Sequence, residues 1–247
     1  MRVALFVTCL TDAYYPRVGE AVVRVLRHFG CSVDFPSEQT CCGQPAFNSG
    51  FHAEAAAIAR RMVRVFEPYE TVVTPSASCA GMVKHHFAEL LAADARERAV
   101  AERLAARTHE FTTFLTDQLA VDVGQHLKFA EPITVHYPCH ARGIYRLERL
   151  VGWLLRGDGV DLRLPKHADL CCGFGGAFSI EYPEISGAML NDKLDELVAT
   201  GARLVICNEG GCALHMAGGA HRRGLPLRFK HLAECLAESL GLMESQT

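Results

Sequence analysis

The chain has 247 residues, 49 % of them hydrophobic and 21 % charged, with a formal net charge of −3. That balance is ordinary for a globular protein and lacks the basic excess that a general nucleic-acid binder needs to displace counterions. No run of about 18 apolar residues is present, so no membrane span is expected. The apolar start MRVALFVTCL is too short, and lacks the small-residue cleavage pattern, for a secretory leader; the expected location is cytoplasmic.

In chain order, Val3–Thr8 is a short apolar run suited to a buried parallel strand. A helix follows over Val18–Phe29, with Val22, Val25, Leu26 and Phe29 at helical spacing, and then a second strand over Cys31–Phe35. Past a Cys-Cys-Gly turn, a long helix ending near Phe66 leads to the strand Thr71–Pro75. Leu90–Val121 is Ala-rich and predicted helical, and residues 122–131 form a crossover. The order then repeats. Ile133–His136 is a strand, Tyr145–Leu155 a helix and Asp161–Leu164 a strand, followed by a second Cys-Cys-Gly. A helix over Ile185–Ala199 and a strand over Leu204–Ile206 complete the set. Strands alternating with helices predict an α/β fold of two pseudo-symmetric, Rossmann-like halves with parallel sheets, divided into residues 1–125 and 126–247.

Eleven cysteines are the anomaly. In a reducing compartment they point to metal or redox chemistry rather than to disulfides. Their odd number forbids complete pairing, and the neighbours Cys41-Cys42 and Cys171-Cys172 bridge only with strain. A single shift of 130 positions carries Cys9 onto Cys139, Cys41 onto Cys171, Cys42 onto Cys172 and Gly43 onto Gly173, which is the mark of an internal duplication. The key cysteines fall at the carboxyl ends of the predicted strands, where loops of parallel sheets converge on one crevice. Site one gathers Cys9, Cys41, Cys42 and Cys79; site two gathers Cys139, Cys171, Cys172 and Cys212. Nearby helix N-termini favour the thiolate that metals require. Gly43 and Gly173 bring backbone N–H groups close to the bound group. Four thiolates suit a [4Fe–4S] cluster or structural zinc. The absence of C-x-x-C knuckles favours a cluster, with zinc open in one half.

The stretches LFVTCL, VDFP, QTCCGQPAFNSG, TPSASC, CCGFGGAFS and GGC together resemble the CCG (cysteine-rich) domain family over nearly the whole chain. That family includes the cysteine-rich component of heterodisulfide reductase and the iron–sulfur subunits of glycolate oxidase and anaerobic glycerol-3-phosphate dehydrogenase. The resemblance is strongest to a branch whose members act with two partner subunits to oxidise L-lactate to pyruvate. It implies an electron-transferring iron–sulfur subunit, a small 2-hydroxy acid as substrate and two partner proteins. The family's fuller pattern ends each half in C-x-x-C. Here Met82 stands where the second of that pair would be in the first half. At the 130 offset, Glu209 falls opposite Cys79 while Cys212 is kept. An ordinary cubane, a cluster with a non-cysteine ligand, and zinc in one half are therefore all open, with Cys207 and Glu209 as further candidate ligands.

The remaining motifs carry less. Cys31 and Cys235 sit in apolar patterns and read as core. His140 is a candidate hydrogen-bond partner of sulfur, Arg142 reads as a solvated cation, and the adjacent pair His85-His86 is assigned no metal. Asn48 and Ser49 organise the turn after the first Cys-Cys-Gly. CGFGG lacks the lysine and the strand–loop–helix order of a phosphate loop, and no flavin, nicotinamide or nucleophile-elbow fingerprint is present. Two alternatives from other classes remain: a thiol–disulfide reductase component of the heterodisulfide type, and a zinc-stapled scaffold without catalysis.

Overall fold

The computed structural model describes residues 1–245. The first half contains a four-stranded, wholly parallel sheet of β1 (Arg2–Leu5), β2 (Ser32–Asp34), β3 (Val72–Thr74) and β4 (Thr108–Glu110), in the order β2-β1-β3-β4. Because helices cover both faces, β1 and β3 are apolar almost without interruption, and Val3, Ala4, Leu5, Val72 and Val73 are all buried. Helices α1 (Cys9–Tyr14), α2 (Pro16–His28), α3 (Gln44–Asn48), α4 (His52–Phe66), α5 (Ala77–Leu90), α6 (Ala95–Arg107) and α7 (Phe111–Asp117) make the connections. α2 starts on Pro16, whose missing N–H costs nothing in a first turn, and buries Val18, Val22, Val25 and Leu26 along one face.

The second half has β5 (Ile133–His136), β6 (Leu204–Cys207) and β7 (Arg228–Lys230), parallel and in the order β5-β6-β7, with helices α8 (Leu147–Leu154), α9 (Phe178–Glu181), α10 (Pro183–Ala199), α11 (Gly210–Arg222) and α12 (Leu232–Ser239). The predicted α/β class and the parallel sheets are thus observed. No helix among the described residues is long and apolar enough to cross a membrane.

Three expectations need correction. The Ala-rich segment is not helical throughout: Thr108–Glu110 is a strand, because β3 would otherwise leave its edge groups unpaired, and Val72, Val73 and Thr74 pair with it in register. Glu110 then accepts from the Thr113 N–H at 3.0 Å and starts α7. The long helix after the first Cys-Cys-Gly is two helices, parted at Gly50, whose φ of +81° breaks the helical path. The strand expected at Asp161–Leu164 is a single bridge, Ile133 to Leu162. At that edge Asp161 and Arg163 pair with each other in solvent rather than extend the ladder.

Each half has an apolar cluster of its own, and a third core is shared between them. One apolar cluster joins Val3, Leu5, Val22, Phe111 and Phe114 of the first sequence repeat to Ile133, Val135, Trp153, Ile206 and Leu236 of the second. α12 lies against α2, and His231 Nε2 sits 2.9 Å from the Pro75 carbonyl across the seam. Phe111→Ala, which empties a fully buried ring from this shared core, is expected to cost about 3–5 kcal/mol. It should shift one unfolding transition rather than one of two. Urea unfolding followed by far-UV circular dichroism and by the fluorescence of Trp153, the single tryptophan, checks this: coincident curves are the expected outcome.

Candidate metal centre

In the first half three of the four strands, β1, β2 and β3, each deliver one part of the site. β1 runs into Thr8, at φ +72°, and Cys9 then opens α1. The loop leaving β2 carries Cys41 and Cys42. Gly43, at φ +83°, turns the chain there so that its N–H donates to Cys41 Sγ at 3.4 Å. β3 delivers Cys79 as the third residue of α5, whose first turn is capped by Ser76 Oγ accepting from the Cys79 N–H at 3.1 Å. Cys42 Sγ and Cys79 Sγ lie 3.3 Å apart.

The second half repeats the plan. Cys139 opens a short 3-10 turn after β5, and Cys171-Cys172 follow on the next loop. The Gly173 N–H donates to Cys171 Sγ at 3.4 Å. Gly173 is at φ +85°, and a Cβ there would stand 2.6 Å from the Ser186 carbonyl oxygen, so no other residue fits without a shift. Cys212 is the third residue of α11. The equivalence of Cys212 and Cys79 corrects the constant 130 offset. Past the Cys-Cys pair the offset is 133, since 37 positions separate Cys42 from Cys79 and 40 separate Cys172 from Cys212. Glu209 therefore stands opposite Ser76, not Cys79, and His215 stands opposite Met82.

Within each set the thiols form a chain of contacts that concentrates negative charge on one sulfur. The neighbouring Cys42 and Cys9 thiols, helped by the Gly43 N–H, hold Cys41 well below the usual thiol range. The neighbouring Cys139 and Cys172 thiols likewise hold Cys171 well below that range. The donating thiols Cys9, Cys42, Cys139 and Cys172 move upward in turn. Cys42, Cys79, Cys172 and Cys212 are buried, Cys41, Cys139 and Cys171 are half-buried, and Cys9 is exposed. All eight line one cleft between the halves, together with Gln44, Asn48, His140 and Glu209. The cross-packing is reciprocal: α1, carrying Cys9, lies against α11, carrying Cys212, and the Cys139 turn lies against α5, carrying Cys79.

Glu209 sits at the seam. Its buried carboxylate accepts from Ser76 Oγ at 3.0 and 3.1 Å and from the Ser78 N–H at 2.9 Å. It thus rests on the N-terminus of α5, and burial pushes its pKa up. Cys207 ends β6 fully buried, its thiol donating to the Glu209 carbonyl at 3.3 Å. It does not line the cleft, and desolvation drives its pKa up. Cys31 and Cys235 belong to the shared apolar core. His140 Nδ1 is 3.5 Å from Cys139 Sγ. Arg142 donates to the Asp169 carbonyl at 2.6 Å from an exposed position. His86 packs on Phe47, ring centroids 4.4 Å apart.

Two residues that sequence reasoning passed over also lie here. His136, at the end of β5, is buried with one nitrogen near Cys172 and Cys212, and burial holds its pKa down to about 3, so the ring is neutral. Lys193 of α10 is fully buried, its ammonium donating to the Ala168 carbonyl at 3.1 Å. His136 sits in the sequence within the short strand ITVH and Lys193 among the polar residues of NDKLDE, with no spacing signal to set either apart.

A family model described as the cysteine-rich domain, CCG, matches residues 3–84 and 133–217. Lactate utilization protein A of Exiguobacterium sp. (strain ATCC BAA-1283 / AT1b) is 42 % identical over 242 residues, 96 % of this chain and 98 % of that protein. Lactate utilization protein A 2 of Bacillus cereus (strain 03BB102) is 38 % identical over 241 residues, covering 97 % and 99 % of the two chains. Lactate utilization protein A 1 of Bacillus anthracis (strain CDC 684 / NRRL 3495) is likewise 38 % identical over 241 residues.

The contact of Glu209 with Ser76 is expected to be cooperative. Removing the Ser76 hydroxyl uncaps α5 and strips a donor from a desolvated carboxylate, at a cost of about 2 kcal/mol. In a double-mutant cycle of Ser76→Ala and Glu209→Gln, urea unfolding should give a coupling energy of about 1–2 kcal/mol. Additive losses would mean that the two side chains act independently.

Proposed function

This chain belongs to the cysteine-rich CCG domain family, within the group named lactate utilization protein A, and on that premise we propose that it is an iron–sulfur redox subunit of a complex oxidising L-lactate to pyruvate. The observation that carries this reading is the convergence of two sets of four thiols on one cleft. The donor chemistry fits the cofactor. Cys9, Cys41, Cys42 and Cys79 are the proposed ligands in the first half, and Cys139, Cys171, Cys172 and Cys212 in the second. In each half a thiolate is already favoured at the central cysteine, and a glycine N–H points at that sulfur, as cluster sites require.

When bound, a [4Fe–4S] cluster supplies a carrier for single electrons. The chain's own residues divide the remaining work. Cys42, Cys79, Cys172 and Cys212 form the dry side of each site, and the exposed or half-buried Cys9, Cys41, Cys139 and Cys171 form the side facing the cleft. Gln44, Asn48 and His140 line the same cleft and offer hydrogen bonds to the carboxylate and hydroxyl of a small 2-hydroxy acid. Two partner subunits in the cytoplasm complete the electron path, since no flavin or nicotinamide motif is present in this sequence.

Protein prepared without oxygen is expected to contain iron and acid-labile sulfide, with broad visible absorbance that bleaches on reduction, and to bleach with L-lactate once its partner subunits are added. Cys42→Ser should lower iron and sulfide by about half and abolish lactate-dependent bleaching. Zinc alone, with no sulfide, would overturn the redox reading in favour of a scaffold. Reduction of a small disulfide in place of lactate oxidation would move it to the thiol–disulfide reductases.

A further inference from the structure

His136 is 1 % exposed, and neither Nδ1 nor Nε2 has a hydrogen-bond partner among the described residues. A buried imidazole with both nitrogens unpaired forfeits the hydration of two polar atoms and receives nothing in exchange. The ring is nevertheless aimed at chemistry. A ring nitrogen, Cys172 Sγ and Cys212 Sγ all lie within 4.8 Å of one another. The three donors come from three separate elements: the end of β5, the second Cys-Cys-Gly loop and the first turn of α11. Ligand atoms around one tetrahedral zinc stand about 3.5–3.8 Å apart, given metal–ligand bonds of about 2.0–2.3 Å. Small side-chain rotations bring the observed triangle to that size.

The duplication supplies an internal control. Ala4 pairs with Val72 and Thr134 with Val205, so Phe6 occupies in the first half the place of His136 in the second, each three residues before its cysteine. Phe6 is equally buried, packs against Phe66 with ring centroids 5.6 Å apart and the planes tilted, and belongs to the apolar cluster that contains Cys42 and Cys79. The scaffold is therefore satisfied by a phenyl ring at this point, and packing alone does not call for an imidazole in the second half.

We propose that His136 is a metal ligand alongside Cys172 and Cys212, which makes the second-half centre a mixed thiolate–imidazole site and leaves the first an all-thiolate one. This rests on the reading that the second set of cysteines holds a metal. Cys139 or Cys171 completes four-coordination. Such a set is suited to zinc or to an iron of an iron–sulfur cluster.

The test compares the full chain, prepared without oxygen, with His136→Phe, which installs the first-half residue, with His136→Gln, and with Cys171→Ser/Cys172→Ser. Iron, zinc and acid-labile sulfide are measured, together with the rate of metal release to the chelator 4-(2-pyridylazo)resorcinol, with circular dichroism to verify folding. His136→Phe and His136→Gln are expected to lose the second-half metal or to release it at least about tenfold faster, with the first-half metal retained. X-ray absorption at the edge of that metal should lose its nitrogen distance near about 2.0–2.1 Å. Zinc without sulfide, or iron with sulfide, identifies the occupant, and loss of either supports the proposal. Wild-type metal content and release rate in a folded His136 variant overturn it. Should His136→Phe fail to fold, His136→Gln decides on the same readout. If the double cysteine variant also keeps all its metal, the reading of a second-half metal fails as a whole. If that variant loses metal while the His136 variants do not, only the assignment of His136 fails.

Discussion

The architecture turns on one buried carboxylate. Glu209 begins α11 in the second half, yet its side chain ends on the first turn of α5 in the first, held by the Ser76 hydroxyl and the Ser78 N–H. A helix N-terminus is the natural seat for an anion, and hydrogen bonds to a charged group contribute roughly 1.5–3 kcal/mol. Removing a partner from a charge at this depth costs more than the contact itself, because the carboxylate is left desolvated. The contact thus fixes the N-termini of α5 and α11 relative to each other. Those two turns carry Cys79 and Cys212, so the separation of the two thiol sets is set by the same interaction.

Around that point the duplicated scaffold keeps positions and exchanges chemistry. Both halves send a cysteine from the first strand, a Cys-Cys-Gly from the loop after the second strand position, and a cysteine from the helix after the third. The positive φ of Gly43 and Gly173 and their N–H contacts to the preceding sulfur are nearly the same. The neighbours differ: Phe6 against His136, Thr74 against Cys207, Ser76 against Glu209, Met82 against His215. The first site is walled by apolar groups, Phe6 and Met82 among them; the second also lies against an apolar cluster but has the His136 imidazole beside Cys172 and Cys212. Geometry has been held constant while the electrostatic surroundings of the two thiol sets have moved apart, a division of labour that a single-copy site could not reach.

Much of this is legible in the chain. The cysteine repeat locates both sites, and apolar runs locate β1, β3, β5 and β6, because buried parallel strands have few alternatives to Val, Ile and Leu. The failures are physical as well. β4 is hidden in Thr-His-Glu, of which only Thr108 favours a strand, and it pairs because β3 offers an open edge; tertiary context overrides propensity there. The three extra residues in the second half, lying between the Cys-Cys pair and the last cysteine, cannot be seen by a constant offset, and they put Glu209 where Cys212 belongs. His136 cannot be separated from a packing histidine until the strand register puts it beside two thiols and shows both its nitrogens unpaired.

The gradient of exposure across the cleft bears on what the thiol sets can do. Each set runs from sulfurs buried against the apolar core, Cys42 with Cys79 and Cys172 with Cys212, to sulfurs partly open to the cleft. A group held at either set is insulated on its core side, where a low dielectric strengthens interactions with nearby charges, and reachable on the other. Because both open sides face the same space, a molecule or partner surface entering the cleft meets both sets at once. Two sites on opposite faces of the protein would have served two separate clients. Two sites on one cleft, fastened by one carboxylate, constrain the chain to treat them as a pair.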